Sequence, residues 1–239
     1  MKIMLIQPGT FSKEEVNARE EYAKSVCSAG TTILMRSLAE PSNVPLYFPT
    51  LNALVPGIIN RVEEAKKEHC HAVVIDCVVD AGLEASKSIS DMPIIGPFET
   101  SMHVACLLAD KFGLIIPREE SIPSCWRLAV AHGMSERISS IKALDIPFLS
   151  FRDKKDEVET RLTQLARESI SKGAQLIIVG CTSLFPALGI GSAEKLMNKL
   201  GIVIIDIIGL SLKVAEMLVN LKLRPSKLAF PKGWAFHPN

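Results

Sequence analysis

The 239-residue sequence has almost no net charge, because 27 lysines and arginines are balanced by 26 aspartates and glutamates. It also lacks a cluster of basic residues and any RNA-binding aromatic motif. Proteins that bind nucleic acid or anionic membranes need a positive field to attract phosphate groups. The charge balance therefore argues against nucleic acid and membrane partners and favours a small-molecule partner.

No apolar run approaches the roughly 20 residues that cross a bilayer, and residues 1–10 are interrupted by Pro8 and Gly9 too early for a signal peptide. The chain has six cysteines, but disulfide frameworks are typical of small secreted chains. The tripeptide His-Cys-His at residues 69–71 has no second pair of ligands at zinc-site spacing. The sequence therefore predicts a cytoplasmic protein with free thiols and no metal site.

One cysteine stands out by its position at the end of a predicted strand. Within residues 72–87, an apolar run over 73–75 is followed by Asp76 and Cys77, and a short loop with Asp80 and Gly82 leads into a helical segment. Ligands of α/β proteins bind at this carboxyl edge of the sheet, although a single cysteine is more often a small buried hydrophobe. Asp76 is expected to point away from the site if the strand alternation continues to it.

Strand-like and helix-like segments alternate along the chain, which is typical of α/β proteins with mainly parallel sheets and right-handed crossovers. A helix over residues 13–28 is expected to start with a capping box formed by Ser12 and Glu15. A later helix, which starts near residue 97, is expected to be capped by Thr100 or Ser101.

Other segments of the two halves are assigned by the same patterns. In the second half, we expect a helix over residues 135–143, a strand over 146–151 and a long charged helix over 156–172. In the first half, several prolines within residues 40–56 mark a long irregular connection. Long loops at a sheet edge often cover a site, so this connection is expected to contribute to one.

Three stretches of sequence similarity between the two halves, in the same order, indicate that the chain contains a duplicated unit. Cys77 lies 75 residues after Lys2 (77 minus 2), and Cys181 lies 70 residues after Lys111 (181 minus 111). The matching parts are KIMLIQP at 2–8 with KFGLIIP at 111–117, the two strand-end cysteines, and residues 93–105 with 203–215. Shared strand composition could produce one such similarity by chance. An ordered series of three indicates two facing lobes with one thiol each.

Two thiols on opposite faces of a carbon acid can racemise it without a cofactor. One cysteine, as thiolate, removes the proton, and the other, as thiol, returns a proton to the opposite face. A helix N-terminus or hydrogen bonds can lower the pKa of a thiol from its usual value of about 8.5. Thr182 and Ser183 could hold a carboxylate or a developing enolate oxygen, or could be ordinary helix caps.

Five features of the sequence form a recognisable set: Cys77-x-x-Asp80-x-Gly82-Leu83, PIIGPFETSMH at 93–103, KALDIPFL at 142–149, GCT at 180–182, and Asp206 at a strand end. By these features the sequence resembles the aspartate/glutamate racemase superfamily, and within it the hydantoin racemases, over nearly the whole chain. The cysteine loop with the segment after it is the more specific part, since GCT is found across the superfamily.

The resemblance implies an α/β fold with two pseudo-symmetric lobes, each a mainly parallel sheet flanked by helices, and a site in the cleft between them. We expect residues 1–98 with 208–239 to form the lobe that carries Cys77, and residues 99–207 the lobe that carries Cys181. The resemblance further implies that Cys77 and Cys181 are paired catalytic residues, that the protein needs no cofactor or metal, and that it assembles into homo-oligomers. The implied substrate contacts are Thr10, Asp80, Gly82, Thr182 and Ser183.

The substrate is less well defined than the chemistry, because residues 7–10 read Gln-Pro-Gly-Thr where hydantoin racemases usually have Asn-Pro-Asn-Ser/Thr. The first hypothesis is a cofactor-independent racemase of a 5-substituted hydantoin or a related ureide such as allantoin. The second is an amino-acid racemase, or a decarboxylase or isomerase of the same superfamily, which a basic or hydroxyl-lined pocket would favour. The third is a non-catalytic ligand-binding protein, which would have no chemical reason to keep both thiols.

Overall fold

The computed structural model describes residues 1–9, 11–38 and 51–233. Within these ranges, two four-stranded parallel sheets are flanked by helices, which confirms the predicted two-lobed α/β fold. The strands are β1 (Lys2–Gln7), β2 (Thr32–Ser37), β3 (Ala72–Ile75), β4 (Ile94–Ile95), β5 (Phe112–Ile116), β6 (Ile138–Ala143), β7 (Leu176–Val179) and β8 (Val203–Asp206). The helices are α1 (Lys13–Val26), α2 (Val55–Lys67), α3 (Leu83–Ile89), α4 (Pro97–Leu108), α5 (Ile122–Ala131), α6 (Lys155–Ser171), α7 (Leu184–Leu188), α8 (Ser192–Leu200) and α9 (Ile207–Asn220).

Both sheets have the same strand order, which is β2-β1-β3-β4 in the first and β6-β5-β7-β8 in the second. The register repeats as well. Ile75, the last residue of β3 paired with β1, and Val179, the last residue of β7 paired with β5, each lie two residues before a cysteine. Cys77 and Cys181 therefore occupy equivalent places in two copies of one unit, as the internal sequence similarities predict.

The core lies on both faces of each sheet. The central strands β1, β3, β5 and β7 are almost wholly buried, and no residue of β3 or β7 is more than 1% exposed. Such continuous burial is typical of parallel strands that helices cover on both sides. These strands hold the loops at their carboxyl ends in place. In the part of the chain that the structure describes, no helix has the length and apolar character needed to span a membrane.

The helix that follows the last strand of each sheet packs against the other sheet. Helix α9 follows β8 but packs against β3 and β4, and α4 follows β4 but packs against β7. The two helices also pack against each other. This exchange joins the two lobes through a shared apolar interior. The lobe boundaries at residues 1–98 with 208–239 and 99–207 stay a prediction.

Two predicted elements of the second half are wrong. The predicted helix over 135–143 is a short 3-10 turn, Ser135–Arg137, followed by strand β6, and the predicted strand over 146–151 contains another 3-10 turn, Phe148–Ser150. Strand β6 pairs with β5 and buries Ile138 and Ala143. Pairing at the sheet edge outweighs the local helix preference of this segment.

The N-terminal cap predicted for α1 is confirmed, whereas the cap predicted for α4 is wrong. At α1, the Ser12 side chain accepts the backbone N–H of Glu15 at 3.2 Å, and the Glu15 carboxylate accepts the N–H of Ser12 at 2.8 Å, which confirms the capping box. The predicted cap of α4 by Thr100 or Ser101 is wrong. Because α4 begins at Pro97, both residues lie inside the helix. The carboxylate of Asp80, in the loop after β3, accepts the first backbone N–H groups of the helix instead.

Candidate active site

A cavity of about 160 Å³ lies where the central strands of both sheets end. The chain leaves β1 and β3 toward opposite sides of the first sheet, and it leaves β5 and β7 in the same way in the second. The loops diverge at such a switch point and leave a crevice for a ligand. Each of the four loops lines the cavity, with Pro8 after β1, Cys77 and Val79 after β3, Pro117 after β5, and Cys181 and Ser183 after β7.

The structure thus brings the two predicted catalytic cysteines to one cavity from two different sheets. Gly180, directly before Cys181, permits the close approach of their loops. A Cβ atom on Gly180 would lie 3.3 Å from Cγ2 of Val78 in the Cys77 loop and 3.1 Å from Cγ2 of Ile116. A larger residue at position 180 would push the two loops apart.

The surroundings of Cys77 oppose its ionisation. Burial raises the pKa of the Cys77 thiol to about 11, since removal from water disfavours the charged form. The backbone N–H groups of Val79 and Ala81 favour the thiolate and act in the other direction. The carboxylates of Asp80 and Asp76 raise the pKa further, because they repel a second negative charge.

Cys181 has a different set of neighbours. Burial again raises the pKa of the thiol to about 11, and the residue is 5% exposed. The backbone N–H of Ser183, the guanidinium of Arg19 and the N–H of Leu184 favour the thiolate, whereas Asp76 opposes it. Cys181 therefore lies beside a positive charge.

Arg19 on α1 is a site residue that the sequence analysis missed. Its Nη1 lies 2.6 Å from Oδ2 of Asp76, and its Nη2 donates to Oγ of Ser183. The guanidinium carbon also lies 4.2 Å from the ring centroid of Phe11. Arg19 belongs to a helix rich in charged residues, so its sequence context is that of a solvated helix face.

Asp76 lines the cavity, so the expectation that it points away from the site is wrong. Strand β3 ends at Ile75, and the N–H of Cys77 donates to the carbonyl of Ile75 at 2.8 Å. The alternation of the strand therefore does not extend to Asp76. One carboxylate oxygen of Asp76 binds Arg19, while Oδ1 is buried without a hydrogen-bond partner among the described residues.

Asp80 supplies the acceptor at the start of α4. Its carboxylate accepts the backbone N–H groups of Phe98 at 2.9 Å and Glu99 at 2.7 Å. Burial raises the pKa of Asp80 to about 7, although these two hydrogen bonds lower it. Asp80 anchors the loop that carries Cys77 to the N-terminus of α4.

The predicted substrate contacts fall into three groups. Thr182 and Ser183 line the cavity together with the cysteines. Asp80 and Gly82 are not among the described residues that line it, so their contact with substrate stays a prediction. Thr10 lies outside the described residues.

Aromatic and aliphatic side chains form another part of the cavity lining. Phe11 follows β1, Leu51 and Leu54 lie just before α2, and Phe148 lies in the 3-10 turn Phe148–Ser150. Leu51 and Leu54 belong to the connection predicted over residues 40–56, of which residues 40–50 lie outside the described ranges. The described part of that connection contributes to the site.

The tripeptide at residues 69–71 lies at the N-terminal end of the first sheet. The backbone N–H of Lys2 donates to Nδ1 of His71 at 3.0 Å, which joins the starts of β1 and β3. Across residues 1–9, 11–38 and 51–233, no three His, Cys, Asp or Glu side chains are grouped as ligands for a metal ion. All six cysteines are free thiols.

The sequence model of the Asp/Glu/Hydantoin racemase family matches residues 12–215. The chain is 30% identical over 241 residues to a hydantoin racemase of Paenarthrobacter aurescens, with 95% of this chain and 94% of that protein covered. It is 29% identical over 232 residues to a hydantoin racemase of Pseudomonas sp. (strain NS671), with coverage of 95% and 90%. The solved structure of allantoin racemase from Klebsiella pneumoniae has the same fold, with a TM-score of 0.85, 24% identity, and coverage of 100% of this chain and 96% of that one. The chain belongs to the Asp/Glu/Hydantoin racemase family and is an isomerase of the racemase class.

Proposed function

We propose that this protein racemises a 5-substituted hydantoin or a related ureide, with Cys77 and Cys181 as a cofactor-independent acid and base pair. The observation that carries the proposal is the convergence of the two thiols, one from each sheet, on a single cavity. The hydantoin racemases among its relatives support the same substrate class. A cytoplasmic location and assembly into homo-oligomers stay predictions.

In the proposed reaction, the proton at ring carbon 5 moves to one sulfur and is replaced from the other. The thiolate takes the proton, the C–H bond breaks, and its electron pair spreads onto the neighbouring carbonyl as an enolate. The opposite thiol then gives its proton to the other face of the carbon. The cysteines have exchanged protonation states at the end of one turnover, which leaves the protein ready for the opposite enantiomer.

Hydrogen-bond donors in the two loops suit the charges that this reaction creates. The N–H groups of Val79 and Ala81 favour the Cys77 thiolate, and those of Ser183 and Leu184 favour the Cys181 thiolate. The Ser183 hydroxyl accepts a hydrogen bond from Arg19, which leaves its own proton to donate. We infer that this O–H stabilises the enolate oxygen.

The apolar part of the lining favours a hydantoin with an apolar 5-substituent. Phe11, Leu51, Leu54 and Phe148 offer a surface that removes such a group from water. The ureido group of allantoin is polar and gains less there. A second candidate is racemisation of an acidic amino acid, which Arg118 and Ser121 in the same lining would favour through contacts to a second carboxylate.

The test is proton exchange with single enantiomers. The protein is incubated in deuterium oxide with each enantiomer of 5-benzylhydantoin, of allantoin, of aspartate and of glutamate, while optical rotation and NMR follow racemisation and deuterium uptake. We expect both signals with the benzylhydantoin and slower turnover of allantoin. Turnover of aspartate or glutamate alone would establish the second candidate, and no exchange with any compound would contradict catalysis.

The two-thiol mechanism predicts that Cys77→Ser and Cys181→Ser each lower racemisation by at least about 100-fold, because an alcohol is a much weaker acid than a thiol. Each variant is expected to exchange one enantiomer faster than it racemises it, since one thiol remains. Cys106→Ser is the matched control, because Cys106 contacts Met134 through its sulfur and is not among the described residues of the cavity lining. Full activity in either cysteine variant would rule out this mechanism.

A further inference from the structure

We propose that Arg19 is a positioning residue that ties the two cysteine loops together and favours the ionisation of Cys181 more than that of Cys77. This inference rests on the proposed two-thiol function. It concerns a residue of α1, which belongs to neither cysteine loop.

The contacts of Arg19 join the surroundings of both cysteines. Nη1 pairs with Asp76, which directly precedes Cys77, and Nη2 donates to Ser183, two residues after Cys181. The side chains of Arg19 and Asp76 are 5% and 1% exposed, so water screens this ion pair weakly. The planar guanidinium presents several donors in a fixed arrangement, which suits two acceptors on different loops.

Arg19 is placed to act through its neighbours rather than on the substrate. It is not among the described residues that line the cavity. Phe11, which does line it, lies against the guanidinium with its ring centroid 4.2 Å away. Arg19 therefore affects the cavity in two ways. Its positive charge creates an electric field there, and its hydrogen bond orients the side chain of Ser183.

The charges around the two thiols are unequal. Arg19 from α1 favours the Cys181 thiolate, and Asp76 opposes it. Asp80 and Asp76 both oppose the Cys77 thiolate. The other charged side chain in the described lining is Arg118, which is exposed and pairs with Glu120 at 3.0 Å, so its field is largely screened.

The test measures ionisation of each thiol without any substrate. The full chain is treated with limiting iodoacetamide over a series of pH values, and peptide mass spectrometry gives the alkylation rate of Cys77 and Cys181 separately. The midpoint of each thiol is the pH at which its alkylation rate is half of the maximum, and it is measured first in the unmodified protein. In Arg19→Met, we expect the Cys181 midpoint to rise by about one pH unit or more, as when a thiolate loses a nearby cation. The Cys77 midpoint is expected to change by less.

Further variants separate charge from folding. Arg19→Lys keeps the charge and is expected to restore most of the Cys181 midpoint. Because Arg19→Met leaves Asp76 buried and unpaired, the double variant Arg19→Met with Asp76→Asn is compared with Asp76→Asn alone, so that neither protein holds an unpaired carboxylate. We expect a higher Cys181 midpoint in the double variant.

An unchanged Cys181 midpoint in the double variant, or an equal shift of both thiols, would overturn the inference. A Cys181 midpoint that Arg19→Lys fails to restore would also overturn it, because the effect would then be structural rather than electrostatic. The assay is independent of turnover. A protein that racemises no hydantoin but shows this alkylation pattern would contradict the proposed function and leave the role of Arg19 intact.

Discussion

Cys77 and Cys181 occupy equivalent places, but the residues before them differ. Asp76 precedes Cys77 and brings a carboxylate into the cavity lining, whereas Gly180 precedes Cys181 and has no side chain. The absence of a side chain at Gly180 leaves space for Val78 of the opposite loop. The two copies of the unit have therefore diverged at the position that decides both the spacing of the loops and the charge beside each thiol.

The raised thiol pKa values predict that activity increases with pH. Burial raises the pKa of both thiols to about 11, so the thiolate fraction of the free protein grows about tenfold for each pH unit below that value. Because kcat/KM reports the free protein and the free substrate, we expect kcat/KM, corrected for the fraction of hydantoin that has lost its ring N–H proton, to rise from pH 7 to pH 10. The measurement is the initial racemisation rate of a single hydantoin enantiomer at each pH, corrected for exchange without protein. A flat or falling profile over this range would contradict the pKa values of the pair.

Helix α4 illustrates how one element positions the site from outside it. Its first N–H groups bind Asp80, three residues after Cys77, so the start of the helix anchors the Cys77 loop. Gly96, directly before the helix, makes this possible, because a Cβ there would lie 2.5 Å from Cγ of Asp80 and 2.5 Å from Cδ2 of Leu83. Crowding at Gly96 would displace the carboxylate and the loop behind it.

Gly96→Ala is therefore expected to lower both stability and activity. Overpacking of a close contact costs about 1–3 kcal/mol, and the displaced Asp80 would shift the Cys77 loop. Urea denaturation gives the free energy of unfolding, and the racemisation assay gives kcat. The control is Gly233→Ala, because a Cβ on Gly233 would meet no atom within 4 Å. Equal stability and activity of the two variants would show that the contact of Gly96 with Asp80 is unimportant.

At the scale of the whole protein, α9 follows the second sheet and is joined to the first by polar as well as apolar contacts. Glu216 on α9 accepts the N–H of Ser28 at 2.8 Å and the hydroxyl of Thr31 at 2.5 Å, both in the segment between α1 and β2. Burial alone would raise the pKa of Glu216, but hydrogen bonds from Thr31, Lys213 and Ser28 lower it to about 2. The carboxylate is 4% exposed and links the chain after the second sheet to the first.

Glu216→Gln is expected to reduce the free energy of unfolding by about 1–3 kcal/mol, because it replaces a charged acceptor and leaves buried donors poorly paired. The pKa of Glu216 is lower in the folded state, about 2, than its ordinary value of 4.5. The ionised form therefore stabilises the fold above pH 4.5, and this stability is lost as pH falls toward 2. Urea denaturation at several pH values should show a difference between variant and parent that shrinks below pH 4.5.

The matched control for Glu216→Gln is Glu159→Gln, an exposed position on α6 where a neutral amide is expected to change stability by less than about 0.5 kcal/mol. A Glu216→Gln protein as stable as this control at neutral pH would show that α9 is held by apolar packing alone.

Local pattern was sufficient to predict the fold class, the capping box of α1, the duplication and the position of both cysteines at strand ends. Strand and helix periodicity and the residues that start a helix act over a few positions, so they can be read along the chain. The exchange of α4 and α9, the cap by Asp80 and the strand identity of β6 could not be predicted in this way. Each depends on which element lies beside which after folding.

The same distinction applies to the site. The sequence was sufficient to identify Cys77, Cys181, Thr182 and Ser183 as residues that share a cavity, because each follows a strand end in one of two repeated units. The charged and buried surroundings of the thiols are formed by residues that lie far from them in the chain. Arg19 lies 57 residues from Asp76 and 164 from Ser183, and no periodicity extends over such separations. Residue types and strand ends are local properties of the chain, whereas burial and charge at each sulfur arise only when the two sheets face each other.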